Sequence, residues 1–289
     1  MTLEAAASAR LTADQAMTAD RSEQAFLVPR WEWPGLVQHF NERLPPHDYR
    51  GDGENPLPSP QHFVTTVYFD TPTRRLLHAA LDDGRDNVKL RAKEYYDVHP
   101  SLAELATRVE DVVHAPGQLW FELKHRSGVR TQKYRVRLSK SELWRWLSQR
   151  GAPEPAHYAG READARVLQE FLEAEAEPLR PSSVVNYQRC SWQSDDGELR
   201  ITLDTNLAFF APSPDLFQRR SLLREALGAA CARETRALLE VKHRGAALPT
   251  WLSARLTTLG LEPSDYSKFV SSGSAVEAHA AAAASKPHV

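Results

Sequence analysis

NVKLRAKEY, residues Asn87–Tyr95, alternates apolar and cationic side chains. Successive side chains on a strand point to opposite faces, so Lys89, Arg91 and Lys93 share one face while Val88, Leu90 and Ala92 occupy the other. The same alternation recurs along the chain. Leu119–His125 (LWFELKH) sets Glu122 and Lys124 against Phe121 and Leu123, and Lys133–Leu138 (KYRVRL) sets Lys133, Arg135 and Arg137 against Tyr134, Val136 and Leu138. Glu198–Leu207 (ELRITLDTNL) places Arg200, Thr202 and Asp204 together, Ala237–His243 (ALLEVKH) places Glu240 with Lys242, and Val184–Trp192 (VVNYQRCSW) places Tyr187 with Arg189. Phe63–Asp70 (FVTTVYFD) completes the set of expected strands.

Helical signals are fewer. Ser139 followed by Glu142 is a capping box opening a helix through Leu143, Trp146 and Leu147. Val167, Leu168, Phe171 and Leu172 form an apolar stripe within 161–176, and a further helix starts at Pro249 and stops at Gly260. The pattern is α+β and β-rich, made of antiparallel meanders rather than a βαβ series.

The six charged faces carry ten cations (Lys89, Arg91, Lys93, Lys124, Lys133, Arg135, Arg137, Arg189, Arg200 and Lys242) and three anions (Glu122, Asp204 and Glu240). The whole chain has net charge −2, so the charge is segregated by face rather than mixed. A solvated sheet face is the plain alternative, but such faces carry both signs, and like charges on neighbouring strands repel. The arrangement predicts a strand-lined cavity for a multiply charged anion, a polyphosphate or nucleoside triphosphate. Arg forks pair bidentately with phosphate oxygens and Lys supplies point charge. The few carboxylates on these faces suit Mg²⁺ or Mn²⁺, which bind through one or two carboxylates plus phosphate oxygens.

The remaining composition narrows the classes. With 289 residues, 42% hydrophobic and 26% charged, the chain can bury a core, which excludes wholesale disorder. No run has the apolar length of a membrane span, and residues 1–21 lack the order of a secretory signal. Two cysteines, Cys190 and Cys231, make a disulfide framework improbable and favour a reducing, cytoplasmic setting. Residues 1–20 and the low-complexity stretch 271–289 (SSGSAVEAHAAAAASKPHV) are expected to be disordered tails around one domain at 21–270. Loops are expected at 45–60 and around 151–160. There is no P-loop and no strand followed by GxGxxG. The histidines show no ligand spacing, with His125 and His243 read as rim residues, and Trp31, Trp33, Trp144, Trp146 and Trp251 are read as packing residues.

VKLRAKEYYD, FELK, KYRVR, NYQR, LRITLDTNL, LLEVKHRG, LPTWL and DYSKF, in that order, resemble the catalytic domain of the vacuolar transporter chaperone complex, the VTC domain, within the triphosphate tunnel metalloenzyme (CYTH-type) superfamily. The resemblance spans 23–270. It implies an eight-stranded antiparallel β-barrel with helices outside, whose lumen is a basic tunnel. It also implies ATP-dependent, metal-dependent synthesis of polyphosphate, usually with Mn²⁺. By position, Lys89, Arg91, Lys124, Arg189, Arg200 and Lys242 resemble the catalytic cations. Lys93, Lys133, Arg135, Arg137, Lys268 and Tyr187 fall where the phosphate chain would be held, Lys268 at a tunnel plug. Glu240 resembles the metal-binding glutamate, with Glu122 as its expected helper. One departure stands out: the family's opening strand carries a lumen cation where this chain has Ala25.

Two other readings use the same tunnel. Water as acceptor makes it a triphosphatase, and a site that binds without turnover makes it a polyphosphate sensor, which Ala25 favours. Nucleic-acid binding is disfavoured, because no groove-reading motif or aromatic platform accompanies the cations. The chain shows no membrane segment of its own, so coupling to transport would rest on a separate membrane protein.

Overall fold

The computed structural model describes residues 22–47, 61–83, 86–96, 113–114, 118–128, 130–149, 153, 158–219 and 222–285. The expected tail at 1–20, most of the expected loops at 45–60 and 151–160, and residues 286–289 lie outside these. Ten strands form one antiparallel sheet: β1 (Ser22–Val28), β2 (Gln61–Asp70), β3 (Asp86–Tyr96), β4 (Val113–His114), β5 (Gln118–Ser127), β6 (Arg130–Ser139), β7 (Arg180–Gln193), β8 (Leu199–Phe210), β9 (Ala232–Arg233) and β10 (Ala237–His243). The eight long strands run in the order β1-β10-β8-β7-β2-β3-β5-β6, with β4 against β3 and β9 against β8. Every expected strand is present. β1, whose core is only Ala25–Val28, carries too short an alternation to be read by period alone.

The sheet curls on itself. Lys124 on β5 reaches Glu23 on β1 at 3.7 Å, although the two strands lie six pairings apart along the ladder. Their inner faces therefore look at each other across a bore. Among the described residues no ladder joins β6 to β1. The open edge of β1 is instead capped by the 263–264 segment, where Ser264 N donates to the Ala25 carbonyl at 2.8 Å.

The outer face is apolar and covered by helices. α1 (Trp33–Asn41) and α5 (Thr250–Thr258) bury Leu36, Phe40, Leu252 and Leu256 against Phe26, Val28, Ile201 and Val241. α2 (Arg75–Asp82), α3 (Lys140–Gln149) and α4 (Glu162–Ala174) bury Leu77, Trp146 and Leu168 against Leu90, Phe121 and Val136. The capping box of α3 forms in both directions: Glu142 N donates to Ser139 Oγ at 3.1 Å and Ser139 N to Glu142 Oε2 at 2.7 Å. Trp146 is fully buried, but Trp31 (78% exposed) and Trp144 (51% exposed) stand out in solvent, contrary to their expected packing role. His243, read as a rim residue, is buried on the outward side of β10.

The Ala-rich C-terminus is the main correction. Lys268–Ala284 is a helix, α6, rather than a disordered tail. Alanine is the best helix former, and Ser267 caps the N-terminus by accepting from Val270 N. What looked like a lack of anchors is close packing. Phe269 meets the Tyr68 ring at 5.1 Å in a tilted contact, Ser272 Oγ lies 2.8 Å from Ser183 Oγ, and the backbone at Gly273 lies close against Leu77. Tyr68 pairs with Arg91 on one side and Ser183 on the other, so both point into the bore, and α6 lies across one end of it. Among the described residues no helix is long and apolar enough to cross a membrane.

Candidate functional site

Register places the inner-face side chains in rungs. On one wall, Lys89, Lys124 and Lys133 face each other across β3, β5 and β6; Arg91, Glu122 and Arg135 form the next rung; Lys93, Trp120 and Arg137 form the third. On the facing wall, Arg200, Lys242 and Glu23 form one rung and Thr202, Glu240 and Ala25 the next, with Asp204 opposite Arg189. The expected faces are thus the inner faces. Eleven cations, Lys268 included, converge there on four carboxylates: Glu23, Glu122, Asp204 and Glu240.

The carboxylates define three clusters. Glu122 accepts from Arg91 Nη2 at 2.9 Å and meets Lys93 Nζ at 3.4 Å. Burial pushes its carboxyl up, but Lys93 and Arg91 outweigh that and hold it well below the ordinary range. Glu23 lies 3.5 Å from Lys242 and 3.7 Å from Lys124, and chiefly Lys242 brings it down to about 2. The third cluster is the tightest. Arg189 grips Asp204 with both arms (2.5 and 2.6 Å) and reaches Glu240 at 3.1 Å. Lys268, at the tip of α6, lies 2.6 Å from Asp204 and 3.5 Å from Glu240. Despite burial, Lys268 and Arg189 keep Glu240 well below the carboxylate range, and Asp204 and Glu240 raise Lys268. Tyr187 floors the cluster, its ring 5.3 Å from the Arg189 guanidinium and 5.0 Å from the Lys268 ammonium.

The lysine rung behaves differently. Burial first, then the charges of Lys124 and Arg91, push Lys89 down to about 7; burial and Arg135 push Lys133 down to about 8. Burial and Lys242 lower Lys124 in spite of Glu23, and burial and Arg91 lower Lys93 far below its ordinary value. Lys89 donates to Ser267 Oγ at 3.0 Å, which ties this rung to the start of α6. Burial is the chief cause of lowering for all four lysines, and the neighbouring cations add to it.

Glu122 is held by Arg91 and Lys93, and among the described residues no contact joins it to Glu240. The partner that geometry supplies for Glu240 is Asp204, since both carboxylates converge on the same ammonium and the same guanidinium arm. That oxygen pair fits a hard divalent cation completed by phosphate oxygens. Among the described residues no group of three or more acidic, His or Cys side chains could hold a metal by itself. Trp120, Glu23 and Ser267 were missed by the sequence reading. Trp120 shares parity with Glu122 and Lys124, and Arg135 lies 4.5 Å over its ring. Ala25 faces Glu240 directly, and Lys268 reaches Glu240 at 3.5 Å.

The sequence profile of the VTC domain family matches residues 20–276. Similar solved structures include a candidate adenylate cyclase from Bacillus halodurans (14% identity, 86% of this chain and 96% of that one, TM-score 0.46). A candidate adenylyl cyclase from Hippeastrum with a dominant triphosphatase activity is similar at 14% identity (88% and 95%, TM-score 0.45), and a Pyrococcus horikoshii protein at 10% (86% and 94%, TM-score 0.41). No curated protein matches the chain significantly.

Proposed function

The chain belongs to the VTC domain family, and on that premise we propose that it binds nucleoside triphosphate and polyphosphate in the bore and transfers the terminal phosphate of ATP to a growing chain. The observation that carries this reading is the excess of inward cations over carboxylates on the facing walls of one curled sheet, with four lysines lowered by burial and by neighbouring cations. Phosphoryl transfer needs little covalent help from protein; it is governed by positioning and charge neutralisation.

In this reading Lys89, Lys124, Lys133, Arg200 and Lys242 receive the triphosphate, with Lys89 beside the start of α6. Arg91, Arg135 and Arg137 line its path, with Lys93 beside them. Lys268 exchanges its carboxylate contacts for phosphate oxygens, which leaves Asp204 and Glu240 with Arg189 as their shared cation. A divalent cation, Mn²⁺ or Mg²⁺, held by that pair would neutralise phosphate charge there. Arg189 keeps both carboxylates ionised and oriented. No side chain is required as a nucleophile, because the acceptor is itself a phosphate oxygen.

Hydrolysis is the second reading. It is favoured by α6 lying across one end of the bore, since the helix limits the room for a long product at that end more than for free phosphate. Incubating the pure protein with ATP and Mn²⁺ separates the two: long polymer on a gel supports synthesis, free phosphate alone supports hydrolysis, and neither, with tight polyphosphate binding, supports a sensor. Glu240→Gln is expected to abolish metal-dependent turnover with an unchanged circular dichroism spectrum. Full activity in that variant would remove Glu240 from the metal site.

A further inference from the structure

A second basic surface lies outside the bore and shares no side chain with the inner-face rungs. A groove of about 500 Å³ opens where the 3₁₀ turn after β1 (Arg30–Glu32) meets the far end of β8 and the turn from β9 to β10. Four guanidiniums line it, those of Arg30, Arg224, Arg233 and Arg236. The one carboxylate in the lining, Glu234, is already taken by Arg236 at 2.9 and 3.1 Å. Among the described residues Arg30, Arg224 and Arg233 have no carboxylate within salt-bridge reach.

The groove is organised as well as basic. Arg224 Nη2 donates at 2.8 Å to the carbonyl of Asn206, whose backbone turns through the left-handed region (φ 54°) within β8. That bond fixes the guanidinium plane, and its Nε is buried with no partner. Burial, and after it the neighbouring charge of Arg233, lowers the Arg224 guanidinium in spite of Tyr96 and Glu225. Arg30 lies over the Trp33 ring at 5.9 Å, and Trp31 beside it is 78% exposed. Arginines rather than lysines make up the cluster, and planar forks match pairs of phosphate oxygens, whereas an exposed indole can stack a planar ring.

We propose that this groove is a second phosphate site, for a phosphoanhydride chain carried either by a nucleotide or by free polyphosphate. It does not depend on which reaction the bore performs. The test is calorimetric titration of the full chain at low salt with inorganic tripolyphosphate and, separately, with ADP. Wild-type protein is expected to show two classes of site for tripolyphosphate. Arg224→Ala/Arg233→Ala is expected to weaken one class at least tenfold and leave the other untouched. Arg233→Glu alone, at an exposed side chain with no partner to lose, is expected to do the same without a question of folding. If Trp31→Ala then weakens ADP and not tripolyphosphate, the occupant is a nucleotide; if it weakens neither, the occupant is the free chain. Wild-type numbers and affinities of sites in both arginine variants would overturn the proposal. So would a groove that takes a single-stranded RNA oligonucleotide but neither phosphate probe.

Discussion

Asp204 shows how strongly single charges are committed in this fold. Its side chain is fully buried and held by Arg189 and Lys268. A buried carboxylate stripped of one partner keeps its desolvation cost and loses part of its compensation, typically about 3–5 kcal/mol. Arg189→Met is therefore expected to destabilise the protein by about 3 kcal/mol, at the low end because Lys268 remains. Arg189→Met/Asp204→Asn should recover a large part of that, since the orphaned charge goes with its partner. Urea denaturation of the three proteins checks this, and an additive double variant would mean that Arg189 acts only by packing. The sequence disclosed that Arg189 and Asp204 sit on inner faces, because parity within a strand is local. It did not disclose that they meet, nor that Glu240 joins them while Glu122 does not. Those facts depend on register between strands, which no single strand encodes.

At the scale of an element, α6 carries the lesson. Strands were legible because alternation needs only two residue classes, and α3 because its capping box is a local signature. In α6 the buried face is Phe269, Ser272, Gly273 and Val276, and two of these four lack an apolar side chain. Small residues let a helix approach closely, so contact comes from backbone and from Leu77, not from large side chains in the helix itself. A Cβ at Gly273 would come within 2.8 Å of both Leu77 methyls, which are fully buried and have little room to yield. Gly273→Val is expected to cost about 1–3 kcal/mol by overpacking. Leu77→Ala in the same chain should relieve most of the clash while adding its own cavity cost. A double-mutant cycle by chemical denaturation with a coupling near zero would show that α6 does not press on α2. Lys268 would also be read differently by such a result, because its reach into the bore depends on where that helix docks.

For the whole molecule, charge segregation links stability to ligand and to pH. Lys89 and Lys133 are pushed from about 10.5 in the unfolded chain to about 7 and about 8 in the fold. Between those values the unfolded chain binds more protons, so stability without ligand should rise from near pH 7 toward pH 10. Below pH 7 the lysines are charged in both states, and the cost of burying those charges, with the repulsion from neighbouring cations, weighs fully against folding. Glu23 works in the opposite sense at the acid end: its carboxyl is lowered to about 2, so its contribution is complete above about 4.5 and is lost as pH falls toward 2. A polyanion in the bore supplies the missing countercharge and returns the lysines to their ordinary protonation, which flattens the alkaline slope. At a hundredfold excess over its dissociation constant, tripolyphosphate should stabilise the fold by about 2.7 kcal/mol at pH 7. The gain should shrink by pH 9, where the unliganded protein has already relieved its repulsion by losing protons. Thermal and urea unfolding at the two pH values, with sulfate as an anion that does not titrate in this range, measures both gains. A gain that is equal or larger at pH 9 with sulfate would mean that the anion does not meet the lysine rung. The excess charge of the bore would then be relieved by solvent alone, and the inward faces of β3, β5 and β6 would have no ligand to explain them.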